Sequence, residues 1–322
     1  MQIGFRVIAL FACFILTGMS AQAQTYPSKP VRIVVPLPAG GAVDTIIRAV
    51  GQRLSDLWGQ QIVIENRSGA NTQIGAEAVA RSAPDGYTLL ATAETTFVVN
   101  PYLYPKLSYG AADFVPVIGI GRADQALNVH ASVAANSVAD MIAMAKARPG
   151  AINYGSIGIG SSSHLNTVLF EMMTGVKLTP VHYRGGAPAI SDLVGGHIPM
   201  LFISFPSVRE HVKAGRIKML GVGASKRLAS LPDVPTIAET VPGYEAFSWF
   251  GLFAPAATPK DIVAKINADV QRVYASAEFR QSFLTLYAYE PIISSPEEFA
   301  DYVTKDAVRW GKVIKDADVK VE

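Results

Sequence analysis

The sequence predicts an α/β protein built of two doubly wound domains with a ligand cleft between them. Three observations carry this. Short β-branched runs alternate with helically spaced apolar residues along the chain, the pattern of open, mostly parallel sheets covered by helices. The alternation falls into two sets of units, parted by Pro-rich and polar segments around Asn100–Pro116. Each set contains a glycine-rich turn between a strand and a helix, and ligands of such sheets bind at the carboxyl ends of strands.

In the first set, Val31–Val35 reads as a buried strand, and Ile46, Val50, Leu54 and Leu57 recur at helical spacing. Gln61–Glu65 is strand-like, Gly75–Arg81 helical, and Tyr87–Ala91 a further strand. The second set opens with a strand at Ala126–Val129. Ser137 and Asp140 then form an approximate capping box for a helix that Pro149-Gly150 ends. Strands at Ile152–Gly155, Leu178–Tyr183, Met200–Ile203 and Ile217–Val222 alternate with helices at Leu165–Met173, Pro188–Leu193 and Val208–Ala214. The remainder is mostly helix. Thr258-Pro259 supplies a cap and a first-turn proline, followed by an apolar stripe of Ile262, Ile266, Val270 and Val273. Ser295-Pro296-Glu297-Glu298 is a second capping box, with Phe299, Tyr302, Val303 and Trp310 on the core side behind it.

Residues 1–23 carry one charge, Arg6, an apolar run from Val7 to Leu16, and the cleavage signature Ala21-Gln22-Ala23. This is the pattern of a secretory signal peptide. A membrane anchor is the competing reading, but a span needs about 20 apolar residues. Ala12-Cys13 faintly resembles a lipoprotein box, into which Phe11 fits poorly. Cys13 is the only cysteine, so cleavage after Ala23 leaves none. That excludes disulfides, a cysteine nucleophile and cysteine metal sites. Export and a cysteine-free product point to a bacterial periplasm, with other secreted destinations open. About 300 mature residues suffice for two well-packed domains. The chain is +2 and loses Arg6 with the signal, leaving about +1. With no basic block, nucleic acid is not an expected partner.

The chemistry concentrates in the two turns. Residues 34–50, VVPLPAGGAVDTIIRAV, lack the Lys-Ser/Thr of a P-loop and the third glycine of a dinucleotide fingerprint. Pro36 and Pro38 stiffen the loop while Gly40 and Gly41 bare its backbone. Asp44 sits in the first helical turn, where a structural role outweighs a catalytic one. Residues 152–172, INYGSIGIGSSSHLNTVLFEM, repeat the design, and Ser161, Ser162 and Ser163 add hydroxyls. A plain helix cap at Ser163 or Ser162 is the competing, less favoured reading. Each helix start carries roughly half a positive charge and stabilises a nearby anion by about 0.3–1 kcal/mol. One on each domain suits an anion trapped between them.

Enzyme chemistry is not indicated. The G-x-S-x-G elbow is absent, and Ser162 and Ser163 next to His164 do not make a triad, because adjacent side chains on a helix diverge. A core or capping role suits His164 better than base catalysis. His130, His164, His182, His197 and His211 show no metal-binding spacing, and Gly158-x-Gly160 is an incomplete nucleotide motif. No metal and no cofactor are expected.

Tyr26-Pro27-Ser28-Lys29-Pro30 with VRIVVPLPAGGAVD resembles the mature start of the Bug-type extracytoplasmic solute receptors, the substrate-binding proteins of tripartite tricarboxylate transporters. The resemblance continues through IVIENRSGANTQIGAEAVARSAPDGYTLL, NPYLYPKLSY, NYGSIGIGSSSHL, VHYRGGAPAISDLVGGHI, LPDVPTIAE, SWFGLFAPAATPKDIVAKIN and SPEEFADYV. It implies a periplasmic-binding-protein fold of two α/β domains joined by crossover strands. The lobes are expected at 26–122 plus 250–322 and at 123–249. It further implies a small organic carboxylate held in the cleft by Pro38, Ala39, Gly40, Gly41 and Asp44 from one turn, and by Ser156, Ser162, Ser163 and His164 from the other. Tyr183, Ala187 and Pro188 would line the wall, and Thr92 the end of a strand. The implied partner is a membrane permease, reached by a monomer; a periplasmic sensing role would use the same cleft.

Two departures bear on ligand choice. Relatives often carry an acidic and amide pair where FISFPS, residues 202–207, places Ile203 and Ser204. An amino-acid ligand needs a carboxylate for its ammonium, so an aromatic or largely apolar carboxylate is favoured. In TAETTF, residues 92–97, a solvent-facing Glu94 is the preferred reading. Facing the cleft instead, Glu94 would accept a hydrogen bond and Phe97 would stack on a ring.

Overall fold

A computed structural model describes residues 26–281 and 289–321; the expected signal peptide at 1–23 lies outside the described residues. In chain order the elements are β1 (Val31–Val35), α1 (Ala42–Trp58), β2 (Ile62–Asn66), α2 (Gln73–Ala80) and β3 (Thr88–Ala93). A π-helical turn (Thr95–Val99) leads into α3 (Asn100–Leu103). Then come β4 (Phe114–His130), α4 (Val138–Ala147), β5 (Asn153–Ser156), α5 (Ser162–Thr174) and β6 (Thr179–His182). The second half holds α6 (Gly186–Val194), β7 (Met200–Ser204), α7 (Phe205–Lys213), β8 (Ile217–Val222), β9 (Phe247–Pro255), α8 (Lys260–Ala275) and α9 (Pro296–Asp316). Among these described residues, no helix is long and apolar enough to cross a membrane.

The strands run β2-β1-β3-β9-β4-β7-β5-β6, with β8 also on β4. Two α/β units result, joined by the long strands β4 and β9. The outer strands are parallel as expected, β2 and β3 on β1, and β6 and β7 on β5. The centre is antiparallel: β9 pairs β3 and β4, while β7 and β8 pair β4. The expectation of mostly parallel sheets is therefore corrected to an even mixture.

The sequence reading finds only Ala126–Val129 of the 17-residue β4 and none of β9. Glycines and a proline disguise both. β4 shifts register between Pro116 and Ile118 and again between Gly119 and Gly121, as bulged strands do. The glycines serve close approach: a Cβ on Gly251 of β9 would stand 2.4 Å from the Phe299 ring of α9, and one on Gly119 would stand 2.6 Å from Ile292.

Apolar burial follows the predicted stripes. Ile46, Val50 and Leu54 of α1 and Ile266, Val270 and Val273 of α8 pack with Val31, Ile33 and Leu89 on one face of the first sheet. Leu57 ends exposed. On the other face, Phe97, Trp249, Phe253, Phe299 and Trp310 form a second core, which also takes Leu165 and Val168 from α5. The second unit packs Leu127, Tyr154, Phe170, Phe202 and Tyr244 together.

The caps are partly as expected. Ser295 accepts from Glu298 N–H at 3.1 Å while Glu298 accepts from Ser295 N–H at 2.8 Å, a complete capping box. Ser137 accepts from Asp140 N–H at 3.0 Å, but the Asp140 carboxylate reaches back one residue further, to Asn136 N–H at 2.9 Å. Thr258 does not cap α8. Pro259 is the N-cap, and the Thr258 hydroxyl is buried without a hydrogen-bond partner.

Candidate ligand-binding site

The first turn leaves β1 at Val35 and enters α1 through Pro38-Ala39-Gly40-Gly41. Gly40 takes a positive φ of 81°, which glycine tolerates without strain. Asp44 is the pin of this turn. Its buried carboxylate accepts from Gly40 N–H at 2.9 Å, from Arg48 Nε at 3.0 Å and from Asn66 Nδ2 at 3.0 Å. Asn66 Nδ2 also donates to Leu37 O at 3.1 Å. Burial alone would raise the Asp44 pKa; the bonds from Arg48, Gly40 and Asn66 hold it below the ordinary carboxylate value.

The donors are thus divided. Gly40 N–H serves Asp44, and Gly41 N–H serves Pro38 O at 3.4 Å. The N–H groups of Ala42 and Val43, in the first turn of α1, have no intrahelical acceptor. The space beside the glycines is open. A Cβ on Gly40 would meet nothing within 4 Å, and one on Gly41 only Pro38 O at 3.4 Å.

The second turn runs from Ser156, fully buried at the end of β5, to α5. Ser156 Oγ donates to Gly158 O at 2.9 Å, and Ser163 Oγ accepts from Ile157 N–H at 2.8 Å. Ser161 is the N-cap, accepting from His164 N–H at 3.4 Å; the cap is neither Ser162 nor Ser163, which are the first helical residues. His164 Nδ1 accepts from Gly160 N–H at 3.1 Å, so neutral His164 carries its proton on Nε2. Its ring lies edge-on to His182 at 5.2 Å and parallel to Tyr154 at 6.4 Å. Burial, with His182 adding to it, pushes the His164 pKa down to about 4. The Gly160 bond ties the first turn of α5 to the loop before it.

The remaining predicted residues fall at other strand ends. Tyr183 follows β6, donating its N–H to Ser156 O and its hydroxyl to Asp192, each at 2.7 Å. Ala187 and Pro188 are exposed near the start of α6. Ile203 and Ser204 close β7 and are buried; the Ser204 hydroxyl lies 3.3 Å from that of Ser207. Thr92, in β3, is fully buried, with its hydroxyl 2.6 Å from that of Thr96.

That contact opens onto a polar network the sequence reading misses. Thr96 donates to Thr72 at 2.9 Å, and Asn100 donates to Asn71 O at 2.7 Å and to the Tyr109 hydroxyl at 3.0 Å. Ala70, Asn71 and Thr72 are all left-handed, with φ of 44°, 51° and 76°. Three such residues in a row cost strain that the network offsets. The dipeptide Ala70-Asn71 is the one sequence signal, since Asn tolerates this region.

The preferred reading of TAETTF is corrected. Glu94 is not solvent-facing: it is 5 % exposed, with its N–H on Trp249 O at 3.2 Å. Phe97 is a core residue, packed with Phe253 at 4.4 Å and Phe114 at 5.1 Å between ring centroids. It lines a cavity of about 210 Å³ with Phe114, Phe253 and Val303.

Strand register fixes where the turns lie relative to one another. β3 ends with Ala93 opposite Phe250 of β9, and β9 pairs Trp249 with Arg122 and Phe247 with Asp124 of β4. One residue on, Gln125 of β4 faces Ser204, the last residue of β7. Since β1 is parallel to β3 and β5 to β7, the carboxyl ends of both parallel sets point toward residues 122–125 of β4. The two turns therefore emerge at one junction from opposite sides.

The family described as "Tripartite tricarboxylate transporter family receptor" matches residues 46–319. Protein BugT of Bordetella pertussis is 33% identical over 323 residues, 98% of this chain and 99% of that protein. Among solved structures, "R. palustris Rpa4515 with adipate" is 38% identical with a TM-score of 0.86, covering 92% of this chain and 100% of the other. MatC (Rpa3494) from Rhodopseudomonas palustris "with bound malate" is 31% identical with a TM-score of 0.79, covering 90% and 100%.

Proposed function

Because the chain belongs to the tripartite tricarboxylate transporter receptor family, whose members are periplasmic, we propose that it captures a small organic carboxylate and delivers it to a membrane permease. The lobes would be 26–122 with 250–322, and 123–249, closing as rigid bodies about the crossover strands. The observation that carries this reading is the emergence of the two turns at one junction, across residues 122–125 of β4.

In this reading the ligand carboxylate is held by the free N–H groups where α1 and α5 begin, with Pro38, Ala39, Gly41, Ser162 and Ser163 shaping the seat. Asp44, Ser156 and His164 keep the two turns in shape rather than touch the ligand. The ligand's body lies against Tyr183, Ala187, Pro188 and Ile203. A Kd near 1 μM corresponds to about −8 kcal/mol. Two helix starts at about 1–2 kcal/mol each leave most of that to apolar contact and hydrogen bonds. Ile203 and Ser204 offer no charge for an ammonium, so a largely apolar carboxylate is favoured over an amino acid. The adipate and malate bound by the two relatives are small organic carboxylates. With Phe97 in the core, Phe97 stacking no longer supports an aromatic ring.

Thermal shifts of the mature protein with adipate and benzoate test the ligand class; equal or larger shifts with aspartate or glutamate overturn it. The Gly41→Val variant tests the turn. Its backbone, φ −74° and ψ 173°, accepts valine, and a Cβ there meets only Pro38 O, so the fold is expected to persist while affinity falls at least ~10-fold. Unchanged binding by folded Gly41→Val removes this turn from the site.

A further inference from the structure

We propose that Glu94 is a specificity-determining residue, whose buried carboxyl receives the second oxygen-bearing group of a two-headed ligand. The inference rests on the carboxylate reading above and names what meets the end remote from the turns. Glu94 directly follows β3, where the carboxyl ends of both parallel sets point. It is 5 % exposed, and its Oε2 has no hydrogen-bond partner. A buried polar atom left unmet is costly and calls for an explanation; a ligand group completing the bond supplies one.

The surroundings set the chemistry of that bond. On the crossover strands lie Ser248, to which Gln125 Nε2 donates at 3.4 Å, and the Arg122–Asp124 ion pair. From α9 come Tyr302 and Asp306; Asp306 accepts from Trp249 Nε1 at 2.7 Å and lies 3.9 Å from Arg309. The charged group acting on Glu94 is another acid, Asp306. Burial foremost, with Asp306 adding to it, outweighs the hydrogen bonds from Ser248 and the backbone that favour the ionised form, and raises the Glu94 pKa to about 8. At pH 7 the carboxyl is therefore neutral and keeps a proton to donate to a ligand carboxylate or carbonyl. A one-headed ligand leaves it unmet, and sites with buried unmet polar groups discriminate strongly.

The test is calorimetric titration of the wild-type protein with dicarboxylates of four to eight carbons, succinate and adipate among them, and with the matched monocarboxylates. The wild type is expected to bind its best dicarboxylate at least ~10-fold more tightly than the matched monocarboxylate. Glu94→Leu should abolish that ratio, and Glu94→Gln should preserve it. Dicarboxylate affinity of the wild type should weaken several-fold between pH 7 and pH 9.5 as Glu94 ionises, whereas Glu94→Gln should show a flat profile. Equal binding of matched monocarboxylates, an unchanged ratio in Glu94→Leu, or a pH profile shared by wild type and Glu94→Gln overturns the proposal. Should Glu94→Leu fail to fold, the pH comparison still decides. If monocarboxylates bind and dicarboxylates gain nothing, the role of Glu94 alone fails. If neither series binds, the carboxylate reading falls with it.

Discussion

His164 and Glu94 are both buried and neutral, and their linkage to stability runs in opposite directions. The folded His164 pKa of about 4 lies below the ordinary 6.5. Between those values the unfolded chain takes a proton that the folded chain refuses. Stability from this source is present above pH 6.5 and lost as pH falls toward 4, by about 1.4 kcal/mol per unit. In urea denaturation at pH 7.5 and 4.5, His164→Gln should lose less stability on acidification than the wild type. Glu94, at about 8 against an ordinary 4.5, works the other way. Stability is fully present below pH 4.5 and lost as pH rises to about 8. Glu94→Gln should therefore be the more stable protein at pH 8, and a lower urea midpoint there would contradict the burial argument. The two residues also mark what the sequence can say. That His164 suits a core or capping role better than base catalysis was readable, because adjacent side chains on a helix diverge, and it is buried with Nδ1 accepting from Gly160 N–H. The burial of Glu94 was not, because an isolated acid after a strand looks like an exposed one until β9 and α9 cover it.

At the level of elements, legibility followed local signals. The capping box at Ser295 needed four residues and was read correctly; Ser295→Ala should cost about 1 kcal/mol in thermal unfolding. Most of β4 and all of β9 were illegible for the opposite reason. Their pairing is with each other and with β3, β7 and β8, and Gly119, Gly121 and Gly251 hide the strand pattern while admitting Ile292 and Phe299. The turns themselves could be seen, but not which of their N–H groups the chain uses internally, since Asp44 and His164 settle that by tertiary geometry. Gly160 shows how tightly the second turn is seated. Its φ is +74°, and a Cβ would lie 2.3 Å from Leu103 Cδ1 and 3.0 Å from Val99 Cγ1. Gly160→Ala combines left-handed strain with overpacking and should destabilise by about 2–4 kcal/mol. Calorimetric melting within 1 °C of wild type would show that the 160 loop moves freely away from α3.

Across the whole molecule, two α/β units share more than their connecting strands. Leu165 and Val168 of α5 sit in the same core as Val98, Leu103 and Trp310, so the second turn is anchored to the first unit through α5 and α3. The first sheet is also interrupted in sequence: β3 finds its neighbour β9 only after the entire second unit has been laid down, with Leu90 opposite Phe253. Such long-range pairing slows folding. A nascent chain released from its N-terminus therefore cannot finish its first sheet until residues 247–255 have emerged. Any fragment ending short of them would carry a bare strand edge and clump. The topology delays maturation until the polypeptide is nearly complete, because the strand that closes the first sheet is the last one laid down among the described residues.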